Sequence, residues 1–226
     1  LAIQIQGNGG VVAEVDGTTF RALRVTNRPV NYGSLGYYRT GAVSGTMAAA
    51  LAANSEIWQW RWADASNLGL LYKVAISAGA NVAASAAALN SFNLTAARSW
   101  TVAGSGGTRY TMTTNNAKLR TSMGTSLVND IGISTTAALT AGTKTLDATS
   151  LGSVSYGIGT GAITVAVNLN LIGQGDGTLF DADGEGFHPV VAAQNEGVVI
   201  RSGIIGPAGM TWAFSVACVW AEAAAF

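Results

Sequence analysis

The chain has 226 residues, 49% of them hydrophobic and only 11% charged, and its formal net charge is zero. Such a length buries a sizeable core without disulfides, and the single cysteine, Cys218, leaves no internal disulfide to form. Zero net charge argues against free nucleic acid as a partner, and no apolar run reaches the about 18 residues of a membrane span, so no membrane partner is expected either.

An ordinary soluble domain is about 25% charged. Charge is depleted, and arginine preferred to lysine, where subunits cover one another. Lys73, Lys118 and Lys144 are the only lysines among 12 basic residues. Codon bias in a GC-rich genome would produce the same arginine excess. Basic residues cluster early, at Arg21, Arg24, Arg28 and Arg39, and acidic ones late, at Asp176, Asp181, Asp183 and Glu185.

In chain order, residues 1–18 read as two short strands around the turn Gly7-Asn8-Gly9-Gly10, whose glycines supply the positive φ angles of a tight hairpin. A strand follows over 20–30, which Pro29 ends or marks as an edge, and another over 37–43. The run Met47–Ala53 has the best helix propensity in the chain but spans only about two turns, so it predicts a short helix or a bend. It leads into Ile57-Trp58-Gln59-Trp60-Arg61-Trp62. Strand alternation puts Trp58, Trp60 and Trp62 on one face and Ile57, Gln59 and Arg61 on the other. Residues 64–69 turn the chain back, and Leu70–Ser77, carrying Tyr72, Val74 and Ile76, reads as the hairpin partner of the tryptophan strand.

An Ala/Gly/Ser stretch over 78–89 suits either close packing or a surface loop. Strands are expected over 92–102, 108–114 and 131–136. Between the last two, Leu119, Met123 and Leu127 are spaced by four, the stripe of a helix, although Gly124 interrupts it. Residues 162–172 read as a long strand and 173–186 as an acidic glycine-rich loop. Two strong strands close the chain, over 197–205 and 210–220. The second puts Trp212, Phe214, Val216, Cys218 and Trp220 on one face. About ten short strands punctuated by turns predict an all-β, antiparallel sandwich, jelly-roll-like, with one or two short helical segments. One domain over 1–226 is expected, with residues 1–18 as a possible N-terminal arm. The two aromatic faces are expected to meet inside it.

Residues with chemical potential are few. His188 is the only histidine and has no G-x-S-x-G nucleophile to serve. Cys218 sits on a bulky strand face, as a buried small hydrophobe would. Asp181, Asp183 and Glu185 alternate like the first half of an EF-hand calcium loop, but position 192, where the closing glutamate belongs, is Ala192. Calcium is the one cofactor these residues suggest, against a solvated acidic loop. An enzyme using Asp181 and Asp183 is a further alternative. The tryptophan row is core, subunit interface or sugar-stacking platform.

Several blocks carry a resemblance. They are Arg21-Ala22-Leu23-Arg24-Val25 with Tyr32-Gly33-Ser34-Leu35-Gly36-Tyr37-Tyr38-Arg39, Leu51-Ala52-Ala53-Asn54-Ser55-Glu56-Ile57 running to Arg61-Trp62, Leu119-Arg120-Thr121-Ser122-Met123, Gln194-Asn195-Glu196-Gly197-Val198-Val199-Ile200-Arg201, and Val219-Trp220-Ala221-Glu222. Their texture resembles structural proteins of tailed bacteriophages, of the head decoration or minor capsid type. The resemblance implies a non-enzymatic virion component, assembled in the host cytoplasm. Its partners would be its own copies, as a homo-oligomer such as a trimer, and the major capsid protein or other virion proteins. It carries over no active-site residues. Arg21, Arg24, Arg28 and Arg39 are the interface residues expected. The alternative is a fibre or appendage sandwich that binds surface glycans through exposed tryptophans.

Overall fold

The computed structural model describes residues 15–16, 22–23, 35–82, 84–112, 117–158, 177–183 and 188–224. The chain divides into two compact units, Leu1–Tyr32 and Gly33–Phe226, a division that falls beyond the arm expected over residues 1–18. In the first unit, β1 (Val15–Asp16) pairs antiparallel with β2 (Ala22–Leu23). The strand expected over 162–172 lies outside the described residues.

The second unit is an antiparallel β-sandwich. Its strands are β3 (Gly36–Val43), β4 (Glu56–Trp62), β5 (Asn67–Ala80), β6 (Ala88–Val102), β7 (Thr108–Tyr110), β8 (Asp130–Ile133), β9 (Thr143–Leu146), β10 (Gly152–Ile158), β11 (Thr178–Asp181), β12 (Val190–Ala192), β13 (Glu196–Ser202) and β14 (Trp212–Ala224). One sheet runs β10-β6-β13-β4-β8-β7, with β9 also on β6; the other runs β11-β5-β14-β3, with β12 also on β5. The last two strands of the chain thus insert into the middle of the two sheets, β13 between β6 and β4 and β14 between β5 and β3.

The alternation of β14 is borne out. Residues 212–220 are buried at every second position, and Trp212, Phe214, Val216, Cys218 and Trp220 all enter the core. Trp58, Trp60 and Trp62 enter it from the other sheet. The two faces meet where Trp60 stands edge-on to Trp220, ring centroids 6.5 Å apart. Trp62 stacks on Trp60 at 6.1 Å, Tyr38 on Trp220 at 5.6 Å, and Phe92 lies 5.5 Å from Trp212. All six tryptophans of the chain are at most 2% exposed. An aromatic ring buries about 150–250 Å², so the five tryptophans of this seam supply much of the apolar area that holds the sheets together, while Trp100 packs apart with Ala97 and Val199.

Three expectations require correction. First, no described residue is helical. In the 47–53 run the backbone is drawn into strand-like bonds instead: Met47 N donates to Trp212 O at 2.7 Å, Ala48 N to Thr136 O at 3.0 Å and Ala50 N to Pro207 O at 3.2 Å. Ala50 and Asn54 take positive φ, 53° and 62°, which no helix tolerates. The 119–127 stripe is likewise a loop, with Leu119 56% exposed. Tertiary bonds outcompete propensity over segments too short to nucleate a helix.

Second, β4 and β5 are not a hairpin; they lie in different sheets. The turn is a corner between sheets, held by Asp64 Oδ1, which accepts from Ser66 N at 2.9 Å, Asn67 N at 2.8 Å and Asn67 Nδ2 at 2.9 Å. Trp62 Nε1 donates to Asn67 O at 2.9 Å across the same corner.

Third, Tyr72 does not share the face of Val74 and Ile76. Trp220 pairs with Leu71 and Val219 with Lys73, leaving Tyr72 as an extra residue. Such a bulge shifts the side-chain phase by one, so Leu71 joins Val74 and Ile76 in the core while Tyr72 is only half-buried.

The sheets also approach closely at Gly152, where an added Cβ would collide with the backbone oxygen of Leu179. Neither strand can yield without moving its ladder. Gly152→Ala is expected to cost about 1–3 kcal/mol, the usual range for overpacking, measured as a fall in the denaturation midpoint at unchanged m-value. A neutral result would mean that β10 and β11 separate freely.

Candidate functional site

The seven-stranded sheet has a second face, away from Trp58, Trp60 and Trp62, and it carries a buried polar cluster. Gln59 and Arg61 reach it by simple alternation. Glu56 does not: even spacing from Trp58 would send it into the aromatic core. The ladder with β13 shows why it escapes. Ile200 pairs with Trp58 and Arg201 with Glu56, so Ile57 is an unpaired extra residue on β4. This bulge turns Ile57 into the core and brings Glu56 to the side of Gln59.

Glu56 Oε2 is the hub. It accepts from Lys144 Nζ of β9 at 2.8 Å and from Gln59 Nε2 at 2.6 Å. The Lys144 and Glu56 side chains are 2% and 6% exposed. Gln59 Nε2 also donates to Thr140 O at 2.9 Å, and Gln59 Oε1 accepts from Arg109 Nη1 at 3.0 Å. The same guanidinium nitrogen donates to Asp130 Oδ2 at 2.9 Å. Lys144 Nζ also donates to Ala141 O and lies 4.2 Å above the Trp100 ring. Arg61 extends the cluster through Nε to Trp100 O at 2.9 Å and Nη2 to Asn195 Oδ1 at 3.1 Å.

Cations outnumber anions here, with Lys144, Arg109, Arg61 and Arg201 around Glu56 and Asp130. Burial pushes the Lys144 amine below its ordinary range; Arg109 and Arg201 push the same way, against the opposing pull of Glu56. Burial likewise pushes the Asp130 carboxyl up, against Arg109, Arg61 and Lys144, which favour its charge. An amine, a carboxylate and a carboxamide therefore share one oxygen in a site closed to water.

A second buried carboxylate, Glu222 of β14, pins the long loop before β8. It is 0% exposed and accepts from Ser126 Oγ at 2.6 Å, Leu127 N at 3.0 Å and Trp220 Nε1 at 3.1 Å. Burial pushes its carboxyl up, the three hydrogen bonds oppose that, and nearby Asp64 adds to it. Tyr38 is pushed up to about 12, by burial first and then by Glu222.

The residues singled out in the sequence lie elsewhere. Arg21, Arg24 and Arg28 are outside the described residues; Arg39 is exposed on β3, its backbone N donating to Ala117 O at 2.7 Å. Asp181 Oδ2 accepts from Lys73 Nζ at 2.7 Å, and Asp181 Oδ1 accepts from the Asp183 amide at 3.0 Å. Glu185 lies outside the described residues, among which no three His, Cys, Asp or Glu side chains gather as a metal site. His188 is exposed. Cys218 is fully buried, and burial raises its thiol far above the ordinary range, which leaves it inert. The tryptophans offer sugars no platform, because every ring is inside.

Sequence reading missed Glu56, Gln59 and Lys144 as a group. One signal was present, the scarcity of lysine and the placement of Lys144 in the alternating segment Thr143-Lys144-Thr145-Leu146. Among the described residues a small apolar cleft is lined by Ala78, Tyr156, Met210 and Trp212, about 10 Å³ in volume. That is room for one water rather than the about 300 Å³ or more of a ligand pocket. No family model, no curated protein and no solved structure matches this chain.

Proposed function

We propose that the chain is a non-enzymatic structural protein of a virion, a capsid-associated decoration or minor capsid protein. Its sandwich would pack against its own copies and against the major capsid protein. The observation that carries this reading is the character of the surface. Val43 is 69% exposed, Ile205 66%, and Leu89, Val102 and Leu119 56% each, on a chain with only 11% charged residues. Charge-poor surfaces that display aliphatic side chains favour association. The six tryptophans, by contrast, are spent on the interior. Many weak aliphatic contacts, repeated over a lattice, sum to tight attachment without one strong site. The block resemblance to tailed-phage structural proteins supplies the virion setting.

The test is the native mass of the purified chain over a range of concentrations, together with its presence in particles isolated from producing cells. A defined oligomer, found in particles, is expected. A monodisperse monomer absent from particles overturns the proposal. Val43→Asp and Ile205→Asp are expected to weaken assembly by tenfold or more while leaving the fold intact by circular dichroism.

A further inference from the structure

We propose that Lys144 and Gln59 join in an intramolecular isopeptide bond, with Glu56 carrying the proton and Arg109 polarising the acceptor carbonyl. The structure gathers the parts of such a reaction around one carboxylate oxygen. The nucleophile is Lys144 Nζ, 2.8 Å from Glu56 Oε2. The leaving group is Gln59 Nε2, 2.6 Å from that same oxygen. The acceptor oxygen, Gln59 Oε1, is held by Arg109 Nη1 at 3.0 Å, where negative charge develops as the carbonyl is attacked. Asp130, 2.9 Å from Arg109 Nη1, fixes that guanidinium.

The step balances without any co-reactant. Glu56 takes a proton from the Lys144 ammonium, leaving a neutral amine. Nζ attacks Cδ of Gln59, and the electron pair of the carbonyl moves onto Oε1. As the tetrahedral centre collapses, the Cδ–Nε2 bond breaks as Glu56 delivers its proton to the departing nitrogen, and the freed Glu56 carboxylate then takes the second proton that Nζ still carries, ending protonated beside the new amide. A primary amine and a primary carboxamide become a secondary amide and ammonia. Nothing is oxidised or reduced.

The surroundings favour the neutral amine and exclude hydrolysis. The two charged side chains are 2% and 6% exposed and Gln59 is 0% exposed, and burial lowers the lysine pKa. One proton shift along the existing Lys144–Glu56 hydrogen bond frees the amine. Trp100 covers the amine on one side. Gly104 lies against the carboxamide so closely that a Cβ there would sit 2.6 Å from Nε2. Tethering both groups to one Glu56 oxygen replaces an encounter in solution. The product would tie β9, which pairs with β6, to the central strand β4, closing a long loop as a disulfide does in an oxidising setting.

The test is intact mass of the wild-type chain under denaturing conditions, followed by peptide mapping. The expected chain is lighter than its sequence by one ammonia, about 17 Da, with the fragments containing Lys144 and Gln59 covalently joined. Lys144→Arg is expected at full mass, and Glu56→Gln at full mass or converting at least tenfold more slowly. The mapping on the wild-type chain does not depend on whether those variants fold. A wild-type chain that stays at full mass, with Lys144 recovered in a linear peptide, overturns the proposal. So does a Lys144–Glu56 link formed with loss of water.

Discussion

Trp60→Ala is expected to lower folding stability by about 3–5 kcal/mol, the range for truncating a buried large aromatic. Trp60 is 0% exposed and stands where aromatic rings of both sheets touch, against Trp62 in its own strand and Trp220 in the opposite sheet. Truncation leaves a cavity that two twisted sheets cannot close without shifting their ladders. Urea denaturation followed by circular dichroism measures the loss. A conservative pair sharpens the point. Trp60 Nε1 is buried without a hydrogen-bond partner among the described residues, whereas Trp62 Nε1 donates to Asn67 O at 2.9 Å. A buried, unpaired N–H costs about 1–3 kcal/mol. Trp60→Phe removes that cost along with some packing, so it is expected to be milder than Trp62→Phe, which strands the Asn67 carbonyl at the sheet corner. The reverse order would show that Trp60 Nε1 is satisfied in solution.

Glu222→Ala is expected to cost about 3 kcal/mol or more, because it leaves Ser126 Oγ, Leu127 N and Trp220 Nε1 facing an empty, dry site. The loop 117–129 should loosen with it, seen as faster proteolysis there than elsewhere. Glu222 also sets a pH dependence. Burial raises its folded-state pKa above its ordinary value, so the folded chain holds this proton more tightly than the unfolded one. Its contribution to stability is full below the ordinary carboxylate pKa and is lost as pH rises through the folded value. Tyr38 and Asp64 are the titratable groups that act on it or feel it. The stability difference between wild type and Glu222→Gln, followed from about pH 4 to about pH 8, should therefore shrink as pH rises. A flat difference would show that the hydrogen bonds fully cancel the burial effect.

Much of the fold was legible because strand alternation is a local rule. Where the ladder is regular, as over residues 212–220, side-chain faces follow directly from the order of residues. The sandwich class, the two closing strands and the burial of Cys218 all rest on that rule. The candidate site was not legible, because it depends on an exception to it. Counting by twos assigns Glu56 to the tryptophan face, and only the extra residue at Ile57 returns it to Gln59. The same kind of slip at Tyr72 brings Leu71 into the core. Bulges are set by the partner strand, here β13 and β14, which lie about 140 residues away in sequence.

The sequence by itself determined an all-β chain with two alternating aromatic strand faces, since period-two hydrophobicity is a local pattern, while the tryptophan row stayed open between core, interface and platform. The tertiary structure alone decided that those faces meet through Trp60 and Trp220, that β4 and β5 part into different sheets, and that Lys144, Glu56 and Gln59 share one oxygen. Register and sheet order are fixed by contacts between distant segments, and no local pattern encodes a contact whose partner is chosen only when the chain closes on itself.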